Sequence, residues 1–205
     1  MTSLVSETKL MAHLPLALVE DPKRILVVCF GMGTTVRSAT RFPTEELHVD
    51  AVDIVPKVFD CFQYFHSDAQ EIMAKPNVHL YAEDGRNFLL VRSNLYDVIT
   101  IDPAPPIHSA GTVNLYTREF LELCKSRIHE EGVVCLWLPP GPASELLMVM
   151  KTFVNVFPGA SLWGGLIYPG FYLIGGHQSF EQTHESIEAL AKQLSKIHDL
   201  SEWDH

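Results

Sequence analysis

The chain has 205 residues, 47% hydrophobic and 20% charged. A chain of this size buries about 70% of its unfolded surface on folding and requires no disulfide or metal staple, and its composition excludes the disordered, collagen-like and low-complexity classes. Lys plus Arg number 15 against 25 Asp plus Glu, a formal net charge of −10, which argues against a general nucleic-acid or anionic-membrane binder and permits cationic partners such as amines.

Residues 1–20 read as a helical lead-in, and MTSLVSETKL lacks the charged start and apolar run of a signal peptide. Short, β-branched apolar runs then follow at Arg24–Phe30, Leu47–Ile54, Val78–Tyr81, Tyr96–Ile101 and Gly132–Leu138. Such runs read as buried parallel strands. Between and after them lie helix-like stretches at Thr34–Arg41, Pro56–Ala74, Arg86–Arg92, Thr117–His129 and Pro142–Val156, with Thr117 placed as an N-cap. This alternation predicts a parallel sheet with helices on both faces. Beyond Phe157, Ser161–Ile167 and Phe171–Gly176 read as two strands joined at Tyr168-Pro169-Gly170, an antiparallel pair closing the sheet. Residues 178–205 form a polar, helical tail. The expected fold is a single α/β domain over residues 1–205. No run approaches the roughly 18–20 apolar residues of a membrane helix, and the expected location is cytoplasmic.

Cys29, Cys61, Cys124 and Cys135 form no CxxC pair, and the ten histidines contain no HExxH. No metal is expected, and the cysteines read as reduced core thiols.

The chemistry gathers at the strand ends. The first strand runs into Phe30-Gly31-Met32-Gly33 and a helix, so Gly31 and Gly33 let backbone approach a ligand. A third glycine of the dinucleotide fingerprint would fall on Val36, so the pattern alone is weak. Asp53 ends the second strand, twenty residues after Gly33, where a carboxylate can hold both ribose hydroxyls. Asp84-Gly85 follows the third strand and Asp102 ends the fourth. In an open parallel sheet these positions converge on one crevice, although any single Asp there can also be a helix cap. The stiff stretch Pro103-Ala104-Pro105-Pro106 lies at its rim.

The order MAHLPLALVEDPKRILVVCFGMGTT, AVDIVPKV, EDGRNFL, YDVITIDPAPP and LYTREFLELCKSRIHEEGVV resembles the polyamine aminopropyltransferases, the spermidine synthase family, over residues 8–176. The resemblance implies a Rossmann-like, class I methyltransferase-like sheet of seven strands, mostly parallel. It implies a co-substrate, decarboxylated S-adenosylmethionine or S-adenosylmethionine, and transfer of an aminopropyl group to a small-molecule amine. It assigns Asp53 and the adjoining Ile54 to the nucleoside, Asp84 and Gly85 to the adenine, and Asp102 to the attacking amine as proton acceptor. Tyr168 matches a tyrosine of the amine pocket, with packing between the last strands as its alternative reading. A homodimer is a further expectation of the family.

Four features depart from the family pattern. Met32 stands where the family carries an Asp that grips the ammonium of the donor, and Pro105 where it carries a second active-site Asp. Glu7 and Thr8 occupy the family's contact positions before the first helix without matching them, and the family's N-terminal β-domain has no counterpart. His108 is a candidate base near Asp102, or simply an exposed loop residue. The DPAPP and SAGTVNLYTREF segments look like the branch often attached to membrane-spanning segments. Three functions stay open: aminopropyl transfer to an acceptor other than putrescine, methyl transfer from intact S-adenosylmethionine, and a non-catalytic nucleoside-binding or structural role.

Overall fold

The computed structural model describes residues 5–44, 46–103, 107, 109, 111–166, 169–180 and 182–201. The strands are β1 (Arg24–Val28), β2 (His48–Asp53), β3 (Val78–Ala82), β4 (Tyr96–Ile101), β5 (Ile128–Leu138), β6 (Ser161–Gly164) and β7 (Phe171–Gly176). They form one sheet in the order β3-β2-β1-β4-β5-β7-β6. All pairs from β3 to β5 are parallel, and β7 runs against both β5 and β6. The expected antiparallel closure is thus present, and the chain reverses its winding direction between β1 and β4.

Alternation along each strand explains why both faces are covered. Ile25 and Val27 join one core layer with Val49, Ala51, Val98 and Cys135. Leu26 and Val28 join the other with Val52, Ile99, Ile101 and Leu136. The first layer carries the helices α1 (Val5–Ala17), α2 (Thr34–Ala39), α3 (Lys57–Phe65) and α4 (Ala69–Met73), and the tail helix α8 (His184–Leu194). The second carries α5 (Gly85–Val91), α6 (Arg118–Lys125) and α7 (Ala143–Val156). Among the described residues no helix is long and apolar enough to cross a membrane.

Three elements differ from the sequence expectation. The single helix expected over Pro56–Ala74 is broken at His66, which adopts an extended conformation. His66 bonds the Thr34 hydroxyl at 2.9 Å, and Asp68 takes Arg37 and Arg41 at 2.9 and 2.7 Å. These contacts to α2 outweigh the local preference to continue the helix. Strand β5 starts at Ile128 rather than Gly132, passing through a register shift opposite Tyr96 and Val98. A Cβ on Gly132 would sit 2.9 Å from the Tyr96 carbonyl oxygen, so glycine permits this approach. The tail divides into α8, entered by a Thr183–Ser186 capping box, and the short α9 (His198–Ser201).

The lead-in helix α1 is among the most buried elements, although it carries charge: Glu7 and Lys9 are each 2% exposed and His13 is fully buried. Asp199 of α9 answers part of that charge. It meets His13 Nε2 at 2.8 Å, accepts from the Ser38 hydroxyl at 2.6 Å and lies 3.2 Å from Arg41. Lys9 donates to the Asp199 main-chain carbonyl at 2.8 Å. Burial alone would raise the Asp199 pKa, but the hydrogen bonds from His13 and Ser38 and the His13 and Lys9 charges outweigh it and hold it below the usual carboxylate range. Removing one partner of a buried ion cluster costs about 3–5 kcal/mol, so Asp199→Ala is expected to lower the urea midpoint at pH 7 by a corresponding amount. A depressed carboxylate contributes stability above its unfolded pKa and loses it as pH falls. The gap between the variant and the wild type is therefore expected to be smaller at pH 3.

Candidate functional site

The parallel register levels the tips of three strands. Val28 lies opposite Val52 on one side and Ile101 on the other. The ladder runs one residue further: Cys29 N–H donates to the Val52 carbonyl at 3.0 Å, and Asp102 N–H to the Val28 carbonyl at 3.1 Å. Cys29 turns the chain out of β1 at φ 72°, a left-handed conformation that costs a non-glycine residue about 1–3 kcal/mol and clusters at ligand sites. Burial pushes its thiol well above the ordinary range, and the Asp102, Asp53 and Asp84 carboxylates push it further. The register brings the residues at the tips of β1, β2 and β4 to one edge of the sheet.

The three carboxylates are held differently. Asp53 Oδ2 accepts from Phe30 N–H at 2.8 Å and Oδ1 from Val55 N–H at 2.9 Å, locking the tips of β1 and β2 together. Each oxygen keeps a second lone pair for a ligand hydroxyl. Ile54, beside it, is 67% exposed. Asp84 is the N-cap of α5, accepting from Asn87 N–H at 2.9 Å, which satisfies the capping reading of that residue. Asp102 donates no such support to a helix. Burial pushes its carboxyl up to about 6.

The glycines also separate. A Cβ on Gly31 would meet nothing within 4 Å, so this position faces open space in the crevice. A Cβ on Gly33 would run into the rings of Phe62 and Phe30, and one on Gly85 would sit 2.8 Å from Val28 Cγ1. Gly33 and Gly85 therefore let elements pack closely as well as lying beside the crevice.

Asp102 opens into a cavity of about 220 Å³, whose other walls include Thr8, Phe30, Met32, Trp137 and Pro139. Phe30 is fixed edge-on against Phe59 and Phe62 at 4.9 and 5.2 Å. Trp137 lies 4.9 Å from Tyr172, whose hydroxyl donates to the Glu7 carboxylate. Thr8 is held to α2 through its carbonyl, which accepts from the Thr35 hydroxyl at 3.2 Å. Tyr116 is 6% exposed, and its hydroxyl has no hydrogen-bond partner among the described residues. Cavities of about 970, 510 and 420 Å³ lie away from these strand tips, the first beside Leu18–Lys23, the second beneath α8 and the third between Thr40 and Lys75.

Tyr168, Pro105 and His108 lie outside the described residues. Cys29 and Trp137 are residues here that motif reading passed over, whereas Phe30 belongs to the loop it singled out and Thr8, placed at a family contact position without matching it, lines the cavity. Trp137 was accessible in principle, because it stands near the carboxyl end of β5, where crevice residues are expected. Among the described residues no group of three or more His, Cys, Asp or Glu is placed to hold a metal ion.

The strand order, the reversed β7 and a crevice at the carboxyl ends of β1, β2 and β4 define a Rossmann-like, class I methyltransferase-like fold. Residues 4–139 match the spermine/spermidine synthase domain, and the chain belongs to that family. It is 35% identical over 126 residues to a polyamine aminopropyltransferase of Alkaliphilus oremlandii, covering 61% of this chain and 43% of the relative. It is 32% identical over 137 residues to putrescine N-methyltransferase 3 of Nicotiana tabacum, covering 64% and 35%. The crystal structure of a spermidine synthase in complex with the transition-state analogue AdoDATO superposes with a TM-score of 0.75 at 20% identity, covering 85% of this chain and 61% of that one. The chain spans less than half the length of these two curated relatives.

Two outcomes test this geometry. Gly31→Ala is expected to cost only the left-handed strain, about 1–2 kcal/mol, whereas Gly33→Ala adds overpacking of about 1–3 kcal/mol; urea denaturation separates the two. A carboxyl whose folded pKa is raised costs stability once pH exceeds its unfolded value, with the full cost present above the folded value. Asp102→Asn is therefore expected to show a higher Tm than the wild type at pH 8, with the difference closing by about pH 4.

Proposed function

We propose that the crevice binds an adenosylsulfonium nucleoside and that the chain transfers its aminopropyl group to an amine other than putrescine, with decarboxylated S-adenosylmethionine as co-substrate. The observation that supports this reading is the level register of β1, β2, β3 and β4, which puts Asp53, Asp84 and Asp102 at or just past strand ends on one edge of the sheet, with Asp102 lining a cavity. The open space at Gly31 and the exposed face of Ile54 fit an adenosyl group lying across the strand tips. Asp53 would hold the ribose hydroxyls, and Asp84, with one oxygen on the Asn87 N–H, keeps the other for the exocyclic amine of adenine. The sulfonium supplies an activated carbon and a neutral thioether leaving group.

The work left to the protein is to present a free amine. An alkylammonium has no lone pair, so a base must orient it and take a proton. Asp102, pushed up to about 6 by burial, is better matched to that exchange than an ordinary carboxylate. Methyl transfer from intact S-adenosylmethionine is the second reading. It is favoured by Met32, which places a neutral thioether on the cavity wall where an acid would repel the co-substrate's carboxylate.

Calorimetric titration with decarboxylated S-adenosylmethionine, S-adenosylmethionine, methylthioadenosine and NAD tests the nucleoside and the choice of donor. Binding of the decarboxylated form in preference is the expected result; preference for the intact form selects methyl transfer, and no binding of any of them removes both. Asp53→Ala removes a charge-assisted contact of about 1.5–3 kcal/mol, so affinity for methylthioadenosine is expected to fall about tenfold to a hundredfold. Asp102→Asn is expected to abolish product formation over a panel of amines while leaving methylthioadenosine binding in place.

A further inference from the structure

The cavity at Asp102 differs from a polyamine site in its charge. Among the described residues Asp102 is the one charged group lining it, and the rest of the wall is apolar or hydroxylic, with Phe30, Met32, Trp137 and Pro139 on one hand and Thr8 on the other. The nearby acids are engaged elsewhere. Asp53 binds two backbone N–H groups at the tip of β2, and Asp84 caps α5. Glu7 neighbours Thr8 on α1, but its carboxylate accepts from the Tyr172 hydroxyl and from Leu166 N–H at 3.2 Å, and it does not line the cavity.

We infer that the acceptor is a small monoamine with an apolar substituent, and that di- and polyamines are disfavoured. The inference rests on the transferase reading above and names the acceptor class for the same site. In the methylthioadenosine complex, which carries no donor ammonium, a single acceptor ammonium fits the single carboxylate lining the cavity among the described residues. The second ammonium of a diamine would be buried against rings and a thioether with no counter-charge, which costs several kcal/mol. An apolar substituent instead gains by burial at about 25 cal/mol per Å², against two rings that neighbouring aromatics hold in place. The volume of about 220 Å³ limits that substituent to a single ring or a short chain.

The reaction balances without a further reactant. The ammonium gives one proton to Asp102, and the freed nitrogen lone pair forms a bond to the carbon attached to the donor sulfur. The carbon–sulfur bond breaks with its electron pair going to sulfur, leaving a neutral thioether. The proton on Asp102 passes to solvent.

The test is calorimetric titration of 2-phenylethylamine, hexylamine, putrescine and spermidine, with and without saturating methylthioadenosine. The expected result is at least about tenfold tighter binding of 2-phenylethylamine than of putrescine, with that preference lost in Trp137→Ala. Equal or tighter binding of putrescine, or no binding of any monoamine, overturns the inference. Met32→Asp supplies a gain that misfolding cannot mimic: a second carboxylate on the wall is expected to raise putrescine affinity about tenfold or more. No gain in the folded variant counts against the charge argument. Failure of methylthioadenosine to bind overturns the nucleoside reading and is registered separately, because the amines are also titrated without it.

Discussion

The backbone ladder that joins Val28 to Val52 and Ile101, and continues through Cys29 and Asp102, is the constraint on which the site depends. Parallel strands in this register end at one level, so Asp53 at the last residue of β2 and Asp102 one residue past β4 stand at the same edge of the sheet. The ladder also places Asp102 between β1 and β5, the most crowded part of the sheet. Its carboxyl loses water there and its proton affinity rises. Cys29 leaves β1 in a left-handed turn at φ 72° before the chain enters α2. Strain and desolvation at this point are costs that the two core layers offset.

The two ends of the described chain meet behind this site. α1 supplies Thr8 to the cavity wall, and Glu7, through Tyr172, supports Trp137 on another. α1 carries Lys9 and His13 into the interior, where Asp199 of α9 reaches both. The tail is therefore a structural support of the cavity, acting through charge rather than through apolar burial alone. A group of this kind is strong when complete and costly when one member is removed.

Much of the fold was legible in the sequence because buried parallel strands and amphipathic helices leave clear periods. Tyr96–Ile101 and Phe171–Gly176 have the bounds expected, and the antiparallel closure followed from two strands with no helix between them. The crevice was legible as positions, since Asp53, Asp84 and Asp102 each end or follow a strand. What the sequence hid was conformational and tertiary. Nothing in the letters VVCFG marks Cys29 as left-handed, a conformation usually reserved for glycine. The break at His66 depends on Thr34, 32 positions earlier. The burial of α1 depends on Asp199, 186 positions after His13. Gly33 and Gly85 were read as ligand-facing, whereas their missing Cβ atoms also make room for Phe62 and Val28.

The net charge of −10 and the sparse charge of the cavity act at different ranges. Surface acids more than a Debye length from the crevice, about 8 Å at physiological ionic strength, raise the local concentration of cations without choosing among them. Choice falls to the walls that a bound amine touches, where water is excluded and each unpaired charge carries its full penalty. A diamine is drawn by the outer field more strongly than a monoamine, yet under the proposed reading it finds, among the described residues, one counter-charge for two. Electrostatic attraction in solution and selection in the cavity thus work in opposite directions. The short-range term is the larger, because burying an unpaired ammonium costs several kcal/mol while screened surface charges contribute about 1 kcal/mol or less.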